Sequence, residues 1–81
     1  MRIKISETSI VEFSQVTMLT DTPTATYAIA GLHDEDTLVW EFTEDKFTKE
    51  EAKTEAEYHM NQLMKEGWTD LSDYVFRYVR I

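Results

Sequence analysis

The 81-residue sequence predicts an α+β domain, with one helix packed on a small antiparallel or mixed sheet in the order β-β-β-β-α-β. Three patterns carry that prediction. Polar and apolar residues alternate through Arg2-Ile3-Lys4-Ile5-Ser6 and again through Thr37–Thr43, the period of half-buried strands. Between residues 49 and 66 the apolar positions recur at helical spacing, with a capping motif in front and a glycine behind. Strand-like alternation then returns from Tyr74 to Ile81.

Taken in order, Arg2–Ser6 is the first strand. The next apolar positions are Ile10, Val11, Phe13, Val16, Met18 and Leu19. Val11 and Phe13 alternate, as do Val16 and Met18, but the two pairs are one residue out of phase. A strand with a bulge or bend near Ser14-Gln15 fits that slip, and so does a short helical turn. The single proline, Pro23, within Thr20-Asp21-Thr22-Pro23-Thr24, marks a loop. Residues 25–43 form a hairpin, with Tyr27 and Ile29 in its first arm. Leu38, Trp40 and Phe42 share one face of its second arm. Its tip, His33-Asp34-Glu35-Asp36, lacks Asn-Gly or Asp-Gly, so a four-residue loop around a type I turn is expected.

Thr48 and Glu51 make a T-x-x-E capping box, and Phe47 and Ala52 stand at the two positions of a hydrophobic staple. Glu50 and Glu51 suit the positive end of the helix dipole, Lys65 the negative end. Gly67 suits a left-handed terminator, so the helix is expected from about Lys49 to Glu66. Ala52, Ala56, His59, Met60 and Leu63 form its apolar stripe. Trp68 and Leu71 are expected to fold back and close the core. Tyr74–Ile81 is apolar on both faces and is expected inside the sheet. Trp40, Phe42, Trp68, Phe76 and Tyr78 read as core.

A chain of this length buries roughly 60% of its surface on folding, enough for one domain spanning 1–81. A hydrophobic fraction of 42% argues for a folded globule. The absence of cysteine excludes disulfide staples and thiolate chemistry. No apolar run approaches a membrane span, and Met1–Ser6 lacks the apolar stretch of a signal peptide, so no membrane partner and a cytoplasmic location, bacterial or host, are expected.

Sixteen acids against eight bases give a net charge of −8, and residues 34–57 alone hold ten acids and three bases, or −7. Such a balance repels free nucleic acid, so direct nucleic-acid binding is not expected. The stretch has two readings, a solvated face or a surface offered to a basic partner. Its members are Asp34, Glu35, Asp36, Glu41, Glu44, Asp45, Glu50, Glu51, Glu55 and Glu57. Tyr58, a large aromatic on the polar side of the helix, joins them as a binding anchor.

Other constellations carry less. The three carboxylates at the hairpin tip lack the EF-hand spacing, and no metal or cofactor is expected. His59 has no identifiable nucleophile to serve and reads as a core-edge histidine bonded to a backbone carbonyl or a neighbouring hydroxyl. Arg2, Lys4, Arg77 and Arg80 make a small basic edge if the first and last strands are neighbours.

The expected function is therefore a non-enzymatic, acidic protein-interaction module that engages the basic surface of a larger protein. A carboxylate row can occupy a groove lined for phosphates. Size and charge extend this, by analogy alone, to a phage or mobile-element inhibitor of a nucleic-acid-handling protein, of the nucleic-acid-mimic or anti-CRISPR type. The alternative is a small-ligand or nucleotide-sequestering protein acting as a homo-oligomer through the basic strands. A self-pairing strand edge is the third possibility.

Overall fold

A computed structural model describes residues 1–22 and 25–80, of which Arg80 is described by its backbone alone. The loop expected at Pro23 falls partly outside the described residues. On its near side Thr22 Oγ1 accepts from the Ala25 amide at 2.9 Å and donates to the Ala25 carbonyl at 2.7 Å.

The class is α+β with one helix. The elements are β1 (Arg2–Ser6), β2 (Ser9–Glu12), β3 (Gln15–Thr20), β4 (Tyr27–His33), β5 (Asp36–Phe42), α1 (Lys49–Glu66), β6 (Trp68–Asp70) and β7 (Phe76–Arg80). Five strands rather than four precede the helix, and two follow it. They build two sheets, ordered β2-β1-β6 and β3-β4-β5-β7. All pairings are antiparallel except β1 with β6.

The phase slip between Val11-Phe13 and Val16-Met18 is the point where the chain leaves one sheet for the other. Phe13 lies between the two strands and is buried, with its ring 5.8 Å from that of Trp40. The wall beside it is Gly31, where a Cβ would sit 2.7 Å from the Phe13 ring. A glycine in mid-strand is thus the counterpart of an aromatic wedge.

Val16, Ile29, Leu38, Trp40 and Phe42 line the inner face of the four-stranded sheet. Ile3 from β1, Ala52, Ala56 and Leu63 from α1, and Leu71 complete the core. Of the stripe expected on the helix, Ala52, Ala56, His59 and Leu63 are buried and Met60 is half-buried, and Ala52 and Ala56 are the small residues that let its first half approach the sheet.

Three local expectations give way to the structure. The hairpin closes through a two-residue turn, since His33 pairs with Asp36. Asp34 enters the left-handed region at φ 54, which aspartate tolerates better than most residues. The final strand begins at Phe76, and the part expected at Ile81 lies outside the described residues. Among the described residues it pairs with β5 alone, as a sheet edge. Its Phe76 ring reaches Trp40 at 5.7 Å, while Tyr78 is 63% exposed. Two apolar faces mislead here because an edge strand has a neighbour on one side only: Tyr78 shares the face of Phe76, opposite Leu38, and is still exposed. Lastly, Leu71 closes the core as expected, but Trp68 belongs to the short strand β6 and is 44% exposed. Its neighbour Thr69 is the inward residue of that strand.

Candidate functional site

Helix α1 sets the geometry. Thr48 Oγ1 accepts from the Glu51 amide at 3.1 Å, and Glu51 Oε1 accepts from the Thr48 amide at 3.0 Å. Gly67 ends the helix at φ 77, with its amide bonded to the Leu63 carbonyl. Both ends are therefore fixed by groups the sequence itself supplies.

The expected acidic stretch is divided by the sheet. Asp34, Glu35 and Asp36 stand at the turn of the β4–β5 hairpin, and Glu44 and Asp45 follow the opposite end of β5. Seven residues of strand put roughly 20 Å between those groups. Glu41 projects on the outer face of the sheet, where Arg77 Nε lies 2.7 Å from its Oε1. The remaining residues gather around α1. Glu50 and Glu57 share its outward face about 10 Å apart, while Glu51 and Glu55 lie along one flank.

The carboxylates near the helix start are held by neutral donors. Thr26 Oγ1 donates to Glu44 at 3.1 Å, and Thr43 Oγ1 donates to Asp45. Tyr74 Oη donates to Glu55 Oε2 at 2.8 Å. The Thr43 hydroxyl holds the Asp45 carboxyl below its usual range, and the Thr48 backbone and side chain do the same for Glu51. Hydroxyl and amide donors orient a carboxylate without cancelling its charge.

Tyr58, 54% exposed, stands at the rim of a cleft of about 300 Å³ between α1 and the segment 68–74. Glu55, His59 and Gln62 line it from the helix. Trp68, Thr69, Asp70, Asp73 and Tyr74 line it from the other side. Gln62 Nε2 donates to Tyr58 Oη at 3.1 Å, and the Tyr58 ring stands edge-on to His59 at 5.1 Å. His59 is 6% exposed, and its Nδ1 lies 2.7 Å from Thr69 Oγ1, the neighbouring hydroxyl the sequence reading allowed for. Burial pushes its pKa down, against an upward pull from Glu55 and Asp70, so the ring is neutral at pH 7. On the other side of the ring, Nε2 faces Glu55 Oε2 at 3.8 Å. Burial and the Glu55 carboxylate together raise the Tyr74 phenol to about 12.

Asp70 and Asp73 lie beyond the acidic stretch of residues 34–57 and join the cleft from the segment after the helix. Asp70 is fixed by Ser72, whose amide and hydroxyl reach its Oδ1 at 2.9 and 2.6 Å and hold its pKa down. The Asp70-x-Ser72 spacing is the turn signal that marks it in the sequence. The basic edge does not assemble from its two halves, because β1 and β7 belong to different sheets.

Among the described residues no group of three or more histidine, aspartate or glutamate side chains is placed to hold a metal ion, and no helix is long and apolar enough to cross a membrane. Fold and surface define a small α+β domain with an anionic helix end beside an aromatic cleft. No protein-family model, curated protein or solved structure matches the chain.

Proposed function

We propose that the chain is a non-enzymatic interaction module whose carboxylates around α1 engage a basic surface on a larger protein. One observation carries this reading. Glu44, Asp45, Glu51 and Glu55 are each oriented by hydroxyl or amide donors. Their positions are set before a partner arrives, so less side-chain entropy is lost on binding. Glu50 and Glu57 add charge on the outward face. A groove lined for phosphates is the fitting counterpart, since lysine and arginine arranged to donate to phosphate oxygens also donate to carboxylate oxygens. Occupying such a groove inhibits nucleic-acid binding by that protein. The phage or mobile-element setting, anti-CRISPR action included, rests on size and charge. It puts the chain in the cytoplasm, where such proteins work.

The test is capture of partners on the immobilised chain at low and high salt, followed by competition with nucleic acid for the captured protein. The reading expects capture of a basic protein at low salt, its release by salt and its displacement by DNA or RNA. Capture that ignores both salt and nucleic acid contradicts it.

A further inference from the structure

The cleft beside Tyr58 has a composition the interaction reading does not require. Its rim carries two exposed aromatic side chains, Tyr58 and Trp68, from opposite walls. Its lining carries three carboxylates, Glu55, Asp70 and Asp73, and, among the described residues, no lysine or arginine. Its floor is the buried His59, whose Nδ1 is taken by Thr69 and whose Nε2 meets Glu55 beyond hydrogen-bond distance. The two cations of the adjoining strand, Arg2 and Lys4, stand opposite Trp68 and Asp70 in the β1–β6 register. Glu55 on α1 and Asp73 after β6 lie outside that register and remain as the acceptors.

Several of these groups are locked. Tyr74 holds the Glu55 carboxylate, Gln62 holds the Tyr58 hydroxyl and Ser72 holds Asp70. Aromatic faces beside fixed carboxylates select a cation with a flat, weakly hydrated head. A volume of about 300 Å³ is at the lower limit for small-molecule sites and suits one side chain. Guanidinium meets these demands better than ammonium, because it stacks on a ring while its fork bonds a carboxylate.

We propose that this cleft receives an arginine side chain presented by the basic partner, stacked at the Tyr58–Trp68 rim and bonded to Glu55 and Asp73. The proposal rests on the interaction reading and names the group that this surface recognises.

The test is a titration of the full chain with N-acetyl-arginine amide, followed through the indole N–H resonances of Trp68 and Trp40. N-acetyl-citrulline amide is the uncharged control. A saturable shift at Trp68, absent at the buried Trp40 and much weaker with citrulline, is expected. Tyr58→Ala and Asp73→Asn, both exposed positions, should each weaken binding about fivefold or more. No saturable response at Trp68, an equal response to citrulline, or unchanged affinity in both variants overturns the proposal. An oligo-arginine peptide titrated into wild type and Glu50→Lys/Glu57→Lys separates the two readings. If the peptide binds through the helix face while Trp68 stays silent, the cleft alone is wrong. If Trp68 responds and peptide affinity ignores the reversals, the helix-face reading is wrong.

Discussion

His59 Nδ1 lies 2.7 Å from Thr69 Oγ1, a buried hydrogen bond that joins the middle of α1 to the shortest strand of the fold. Thr69→Val keeps the shape and leaves a buried imidazole nitrogen unpaired. It should cost about 1–3 kcal/mol in urea unfolding, and Thr69→Ser should restore most of it.

The same histidine gives stability a pH dependence. Burial lowers its folded-state pKa below the unfolded value of about 6.5. Between those values the unfolded chain binds more protons, so stability rises with pH there and is constant above it. Acidification from pH 7 should therefore destabilise the protein first through His59. A second loss follows below about pH 4, where Asp70, Asp45 and Glu51, all held low in the folded state, take up protons. Denaturation midpoints measured from pH 8 to 3 should show both steps. His59→Gln should remove the first and leave the second.

Tyr74 offers a spectroscopic check. Its phenol is raised to about 12 by burial first and by the Glu55 carboxylate second. Ultraviolet titration should find one tyrosine ionising near there. Glu55→Gln should bring that transition down part of the way towards 10. Because the folded pKa is raised, this group contributes stability below pH 10 that is lost above it.

The two glycines predict opposite kinds of damage. At Gly31 a methyl group meets the buried Phe13 ring at 2.7 Å, so Gly31→Ala should cost about 1–3 kcal/mol through overpacking. Phe13→Leu in the same chain should offset part of that cost. At Gly67 nothing lies within 4 Å, but φ is 77, so Gly67→Ala should cost about 1 kcal/mol through the backbone alone. No core substitution should rescue it. Double-mutant unfolding measurements distinguish the two.

What the sequence discloses here is local. Thr48, Glu51 and Gly67 bound α1 because capping is written within four residues of each helix end. The Val11–Val16 phase slip is visible, but its meaning is not, since a bulge and a change of sheet leave the same pattern. β6 is too short to show a period, and its partner β1 is more than sixty residues away. Two apolar faces could not reveal that β7 is an edge. The separation of Asp34–Asp36 from Glu44-Asp45 is legible, since the Thr37–Thr43 strand lies between them, but the long-range pairing of β6 is not. The cleft beside Tyr58 brings Asp73 and Trp68 to the helix through that same long-range pairing.

The interaction account is tested most directly by the salt dependence of partner association for wild type and for Glu50→Lys/Glu51→Lys/Glu55→Lys/Glu57→Lys, measured by stopped flow with the captured basic protein. Electrostatic steering predicts a wild-type association rate that falls steeply as salt rises. The variant should associate at least tenfold more slowly at low salt and lose most of that slope, with its fold verified by circular dichroism. Equal rates and equal slopes for the two chains would contradict the claim that these carboxylates meet the partner.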